Sequence, residues 1–116
     1  MSEQFILVIG VYPEVVRRLG RCLEDAGYAV HTLTDSGGAE AELAAGAAAV
    51  ITSPYLSPAA RKQVATAARR GGSKVVMLHA GEISDTELAD AVVSVAPGSV
   101  LEALRHLLPR HKERTA

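Results

Sequence analysis

Short apolar segments alternate along this chain with longer segments of helical period. The first, at residues 5–9, is a continuous apolar run, which is typical of a β-strand covered on both faces. Residues at three- and four-residue spacing follow it with one apolar and one charged face, and the cycle then repeats. Strands that alternate with helices are parallel and are joined by right-handed crossovers. The sequence therefore predicts an α/β fold, a three-layer sandwich with helices on both faces of a parallel sheet.

The predicted boundaries come from capping and turn residues. Strands are predicted at residues 5–9, 28–33, 47–52, 74–78 and 92–95. Helices are predicted from Pro13 to the turn at Gly27, then at residues 39–45, 58–70, 85–91 and from Ser99 to Pro109. Ser57 is the expected N-cap of the third helix, and Ser84-x-x-Glu87 and Ser99-x-x-Glu102 are capping boxes for the last two.

Length and composition limit the class of protein. The chain of 116 residues predicts one domain over residues 1–109, followed by a polar, basic tail at 110–116. Twelve Lys and Arg against thirteen Asp and Glu argue against direct binding of nucleic acid. No apolar run approaches the ~20 residues of a membrane helix, and the N-terminus lacks the pattern of a signal peptide. The single Cys22 suits a reducing compartment, so a cytoplasmic protein without membrane contact is expected.

Chemistry in such a sheet is expected just beyond the carboxyl ends of the strands. The one carboxylate directly after a strand is Asp35, and the Ser-Gly-Gly that follows it is typical of a turn. No glycine-rich phosphate loop follows any strand, so no nucleotide cofactor is predicted. His79 could act as a base for Ser53, but no residue in the pattern would orient it, and a structural polar role is favoured.

Several other residues with reactive or charged groups are expected to be structural. The four histidines lack metal-ligand spacing, so no metal site is predicted. Cys22 belongs to the apolar stripe of the first helix, where it is expected to pack in the core. The arginines of the first and third helices are expected to lie on solvated faces, namely Arg17, Arg18, Arg21, Arg61, Arg69 and Arg70.

Four segments carry a resemblance to a known family. They are Ile6-Leu-Val-Ile-Gly-Val-Tyr-Pro-Glu14, Thr34-Asp35-Ser-Gly, Val75-Val-Met-Leu-His-Ala80 and Ala96-Pro97. Taken in this order, the chain from Phe5 to about Leu108 resembles the response-regulator receiver domain of two-component signalling. The resemblance implies a flavodoxin-like, doubly wound five-stranded sheet in the order 2-1-3-4-5. The short interval between residues 80 and 96 implies a reduced fourth helix.

The chemistry of the family is missing at all five matched positions. Its acidic, Mg²⁺-holding pair is matched by Gly10 and Val11, and its phosphoacceptor aspartate by Ser53. Its switch Ser/Thr is matched by His79 and its phosphate-binding lysine by Ala96. Without carboxylates neither Mg²⁺ binding nor aspartyl phosphorylation is expected. The sequence therefore predicts a pseudo-receiver that is not an enzyme and holds no cofactor or metal.

A domain without this chemistry is expected to act through protein–protein contacts in bacterial signalling. The expected interaction face is the polar side of the last helix, at Glu102, Arg105 and His106. The partner would be a signalling protein or an attached effector domain, and a homodimer is also open. One alternative is a small-ligand or cofactor-binding domain that uses the crevice at the strand ends. Another is an enzyme that uses Ser53 and His79.

Overall fold

Nine helices and strands follow one another in the part of the chain that the computed structural model describes, residues 4–35, 37–81 and 86–108. The strands are β1 (Phe5–Ile9), β2 (Val30–Leu33), β3 (Ala47–Thr52), β4 (Lys74–His79) and β5 (Ala91–Ser94). The helices are α1 (Pro13–Asp25), α2 (Ala39–Ala44), α3 (Pro58–Arg70) and α4 (Pro97–Leu107). No described helix is long and apolar enough to cross a membrane.

All five strands are parallel and lie in one sheet, in the order β2-β1-β3-β4-β5. Ile9 at the end of β1 is aligned with Leu33 of β2 and with Thr52 of β3. The strand order reverses between β1 and β3, which is where open α/β sheets place their ligands. This topology confirms the predicted fold class and strand order.

Alternate residues of β1 pack on opposite faces of the sheet, as the pleat of a strand requires. Phe5, Leu7 and Ile9 join the core under α2 and α3, whereas Ile6 and Val8 join the core under α1 and α4. All five side chains are buried. The continuous apolar run at residues 5–9 thus reflects a central strand that is covered on both sides, as predicted.

Two local signals place the helices as the sequence indicates. The Ser57 hydroxyl accepts a hydrogen bond from the N–H of Ala60 (3.2 Å), and Pro58 occupies the first position of α3. Gly27 follows α1 with a φ of 101°, a conformation that costs a side-chain-bearing residue free energy. The predicted cap of α3 and the predicted end of α1 are therefore confirmed.

The predicted fourth helix is wrong over its described part. Residues 86–90 form a turn, and Ala91 already belongs to β5, whereas Ser84 and Asp85 lie outside the described residues. Asp90 explains this local structure. Its carboxylate accepts a hydrogen bond from the N–H of Val75 (2.7 Å), and its own N–H donates to the carbonyl of Val75 (2.7 Å). These bonds to β4 fix the end of the turn directly before β5, where the local pattern predicts a helix.

The last helix begins earlier than predicted. Its N-cap is Ala96, so Ser99 and Glu102 lie inside α4 and do not form a capping box at its start. The Ser99 hydroxyl instead forms a hydrogen bond with that of Ser94 on β5 (3.1 Å). The predicted stop at Pro109 and the tail at 110–116 lie outside the described residues.

Two side chains differ from their predicted environments. Arg61 is 4% exposed, so it lies in the interior and not on a solvated face. Cys22 is partly exposed on α1 and is not among the core residues. In both cases the helical stripe defines the buried face only approximately. The neighbouring elements decide which residues at its border are covered.

Candidate functional site

The carboxyl ends of the five strands form one edge of the sheet, here called the carboxyl edge. Gly10 and Val11 directly follow β1, Ser53 follows β3, His79 ends β4, and Ala96 lies two residues beyond β5. Gly10 and Ser53 directly follow two adjacent strands, and the N–H of Ser53 donates to the carbonyl of Ile9 (2.8 Å). The structure therefore brings two of the five predicted positions into direct contact.

Gly10 leaves no space for a side chain. A Cβ atom at this position would lie 2.7 Å from the Ser53 Cβ and 2.8 Å from the Val16 Cγ2. Neither neighbour is the far end of a flexible side chain, and both residues are buried. A carboxylate at Gly10 would require the end of β1 to move away from β3 and α1. The centre of the carboxyl edge is thus closed by packing.

The Ser53 hydroxyl already has a partner within the chain. Ser53 is 4% exposed, and its Oγ accepts a hydrogen bond from the N–H of Tyr55 (3.2 Å). The structure shows no hydrogen bond between Ser53 and His79, and the buried Nδ1 of His79 has no partner among the described residues. A nucleophile–base pair needs such contact. The arrangement gives Ser53 the role of a turn residue.

Asp35 is committed to its own turn, as the sequence indicates. Its Oδ1 accepts a hydrogen bond from the N–H of Gly37 (2.7 Å), and the residue is exposed. This is the turn that aspartate forms with the backbone two residues on. Asp35 therefore has a structural function in the loop between β2 and α2.

The residues at the carboxyl edge do not fit a magnesium ion. Gly10, Val11 and Ser53 offer no carboxylate, and Mg²⁺ is bound in proteins through carboxylates and retained waters. Among the described residues no group of three or more His, Cys, Asp or Glu side chains could hold a metal. Packing of Gly10 against Ser53 and Val16 also leaves no room for a side-chain ligand at position 10.

Sequence reasoning assigned no role to two tyrosines at this edge. Tyr12, three residues past β1, and Tyr55, three residues past β3, bring their rings to a centroid distance of 5.2 Å at 80°. They are 50% and 55% exposed, and Val11 beside them is 41% exposed. The signal was present in the sequence, since two of only three tyrosines occur at equivalent distances from strand ends.

The polar side of α4 forms a second surface. Glu102, Arg105 and His106 are all exposed, whereas Val100 and Leu104 are buried against the sheet. A groove of about 580 Å³ runs between this helix and β5. Residues from both elements line it, together with the end of β4: His79, Asp90, Ala91–Ser94, Ser99, Glu102, Ala103, His106 and Leu107.

No protein-family model matches the chain, and no curated protein matches it in sequence. Solved structures do match. A response regulator receiver protein from Sinorhizobium medicae superposes with a TM-score of 0.80 at 19% identity, over 93% of this chain and 96% of that one. The response regulator protein TrrA from Thermotoga maritima, solved in complex with Mg(2+)-BeF, superposes with a TM-score of 0.76 at 21% identity, over 90% and 99%.

An archaeal structure agrees with these two. The CheY-like receiver domain protein from Methanospirillum hungatei superposes with a TM-score of 0.75 at 19% identity, over 94% of this chain and 96% of that one. The resemblance therefore extends over nearly the whole chain, while the sequences have diverged far. On this evidence of topology and superposition, the chain has the flavodoxin-like fold of CheY-like response regulator receiver domains.

Proposed function

We propose that this protein is a pseudo-receiver, a cytoplasmic signal-transduction module that acts by protein–protein interaction without Mg²⁺-dependent phosphorylation of an aspartate. Its fold is that of receiver domains. The observation that carries the proposal is the contact at Gly10, where a Cβ would lie 2.7 Å from that of Ser53. Receivers hold the metal with a pair of acidic residues after the first strand, and here Gly10 and Val11 supply no carboxylate and Gly10 has no room for one.

Ser53 and Ala96 do not meet the other requirements of phosphoryl transfer. The nucleophile would have to be a carboxylate, and Ser53 offers a buried hydroxyl that already accepts a hydrogen bond from Tyr55. A cation normally offsets the charge of the transferred phosphoryl group, and Ala96 supplies none. Binding of a small ligand at the strand ends is not favoured, because Gly10 and Ser53 pack together there. We assign no catalytic residue.

Acetyl phosphate with Mg²⁺ tests the absence of phosphorylation. Intact-mass measurement is expected to show no phosphate adduct on the wild type, and calorimetry is expected to show no tight binding of Mg²⁺. Ser53→Asp is the matched variant, which restores the acceptor carboxylate alone. It is also expected to stay unmodified, because one carboxylate does not replace the hydration shell of Mg²⁺. A stoichiometric adduct at a carboxylate of the wild type would refute the proposal.

The partner surface that we propose is the exposed side of α4. Arg105→Glu is expected to weaken association with a partner or with a second copy by about tenfold, since close charge pairs at interfaces set specificity. Arg17→Glu on α1 is the control, with the same charge change on another helix. Analytical ultracentrifugation or calorimetry measures association, and circular dichroism verifies folding. Loss of association in the Arg17 variant alone would place the interface on α1.

A further inference from the structure

Exposed apolar side chains concentrate at the carboxyl edge. The large hydrophobic residues that the described part of the chain exposes most are Val11, Tyr12, Tyr55, Val92 and Val95. All but Val92 lie within three residues of the end of a strand, after β1, β3 or β5. Single exposed apolar residues are ordinary, but a group at one edge of a sheet indicates an interaction site.

Tyr12 and Tyr55 are held in position by the backbone around them. Tyr12 is the N-cap of α1, and its carbonyl accepts hydrogen bonds from the N–H groups of Val15 and Val16 (3.1 Å each). Tyr55 donates its N–H to the Ser53 hydroxyl, and the two rings meet edge to face. The backbone is therefore anchored at both residues, and the two half-exposed rings form one aromatic surface.

Charge at this edge favours a cationic partner. None of the twelve Lys and Arg residues lies within four residues after the end of a strand. Among the described residues one carboxylate is present within the same distance of a strand end, that of the exposed Asp35 after β2. The strand β2 lies next to β1, so Asp35 belongs to the side of the edge that carries Tyr12. Glu14 of α1 instead lines a groove with Arg17, Arg18 and Arg21.

Backbone donors that could attract an anion are already used. The N–H of Gly10 donates to the carbonyl of Leu33 (3.1 Å), and the N–H groups of Ser53 and Leu56 donate to carbonyls of the chain. The N–H of Tyr55 donates to a hydroxyl. Phosphate-binding edges of α/β sheets depend on free N–H groups. At these four positions this edge presents none, which again disfavours an anionic ligand.

From these observations we infer that the carboxyl edge is a docking site for a basic peptide segment of a partner protein. An arginine or lysine of the segment lies against the rings of Tyr12 and Tyr55, and adjacent apolar side chains cover Val11. Cations bind over aromatic rings through the ring quadrupole, and the Asp35 carboxylate and the absence of Lys and Arg just after the strands add charge complementarity. The site goes beyond the α4 face, and it takes the place of the metal and phosphoryl chemistry that we propose to be absent.

Three synthetic peptides test this inference in a titration followed by amide NMR. The probe is acetyl-Ala-Leu-Arg-Ala-Leu-Arg-Ala-amide. In one control peptide both arginines are replaced by citrulline, which is uncharged, and in the other both are replaced by glutamate, which is anionic. We expect the arginine peptide to shift the amide signals of residues 10–12 and 55. The citrulline peptide is expected to bind about fivefold more weakly than the arginine peptide, and the glutamate peptide more weakly still.

Variants locate the site. Tyr12→Ala and Tyr55→Ala are each expected to weaken the arginine peptide about fivefold, and the double Tyr→Leu variant separates loss of the rings from loss of apolar area. Val92→Ala is the control, because Val92 is an exposed apolar residue on β5 away from this edge. It is expected to leave binding unchanged. Circular dichroism verifies that each variant folds.

Four results would overturn the inference. They are equal binding of all three peptides, shifts confined to α4, an unchanged affinity in the double tyrosine variant, and no shift at millimolar peptide. Self-association that depends on both tyrosines would also overturn it, in favour of a second copy of this chain as the occupant. The titration contains no Mg²⁺ and no acyl phosphate, so its outcome is independent of the phosphorylation assay above.

Discussion

The centre of the sheet and its two margins are stabilised in different ways. In the centre, β1, β3 and β4 are buried almost throughout, and their inner residues are aliphatic. At the margins, β2 and β5 are four residues each, half-buried, and tied down by polar side chains. His31 of β2 stacks on Phe5 of β1 and binds Glu42 of α2, and Asp90 next to β5 binds β4.

This difference shows where the molecule tolerates change. A close-packed centre resists any added volume, since its atoms have no space into which to move. At a margin, a polar side chain that makes one or two hydrogen bonds takes only those bonds with it when it is removed, and the backbone pairing of the strand remains. The candidate site belongs to the centre, because Gly10 and Ser53 continue β1 and β3. Introducing a carboxylate at Gly10 thus acts against the packing of the centre.

Gly10→Asp is expected to have the largest effect on stability, because it disrupts packing at the centre of the sheet. Its Cβ would overlap Ser53 and Val16, and its carboxylate would be buried, so the free energy of unfolding is expected to fall by about 3 kcal/mol. Val11→Asp is the control on the neighbouring, exposed residue and is expected to cost less than about 0.5 kcal/mol. Urea unfolding measures both. Equal stability of the two variants would mean that the ends of β1 and β3 can separate.

Asp90→Ala is expected to loosen the β5 margin with a smaller effect. It removes the acceptor of the Val75 N–H (2.7 Å) and the ion pair with Arg69 (3.3 Å), at an expected cost of about 2 kcal/mol. Arg69→Ala removes the half-exposed ion-pair partner and its hydrogen bond to the Leu88 carbonyl (3.1 Å), and it is expected to cost about 1 kcal/mol. Urea unfolding separates the two variants, and hydrogen exchange is expected to show faster exchange of the Val75 amide in the Asp90 variant alone. An equal cost would assign the stabilisation to the contacts of Arg69.

His31→Ala is expected to have the smallest effect, at the β2 margin. The imidazole lies 3.9 Å from the Phe5 ring between centroids, and its Nδ1 lies 2.7 Å from the Glu42 Oε1. Half of this side chain is exposed, so the loss is expected to be about 0.5–1 kcal/mol. Thr32→Ala is the control on the next residue, which is also exposed. A cost for His31 as large as that of Asp90 would contradict the ranking of the margins.

Sequence patterns located the elements that local rules govern. The apolar run of β1, the serine and proline at the start of α3, and the glycine after α1 each act within a few residues, and each was predicted correctly. The short helix at 85–91 was wrong over its described part because Asp90 bonds to a strand that lies fifteen residues earlier in the chain. The capping box at Ser99 was wrong because its hydroxyl pairs with Ser94 on β5.

In the candidate site, too, some features follow from nearby residues and others from contacts between distant residues. Residue identities alone indicated that Gly10, Val11 and Ser53 offer no carboxylate and that Ala96 offers no cation, since the strand ends could be located from the pattern. The close contact at Gly10 was not predictable. The equivalent positions of Tyr12 and Tyr55 after their strands are visible in the sequence, but the contact between their rings is not. Each contact joins residues about forty positions apart, and its distance depends on how β1 and β3 are aligned in the sheet.

By itself, the sequence of this protein determined the alternation of strands and helices, the aliphatic core and the lack of a carboxylate at Gly10, Val11 and Ser53, because these depend on residue type and on periodicity. Only the tertiary structure decided that Gly10 has no room for a side chain and that two exposed tyrosines meet near it. It also decided that hydrogen bonds between Asp90 and β4 replace the predicted helix before β5. The physical reason is the separation along the chain over which each kind of interaction acts. Propensity and capping act over a few residues, whereas steric exclusion and hydrogen bonds between strands depend on which distant residues the fold brings together.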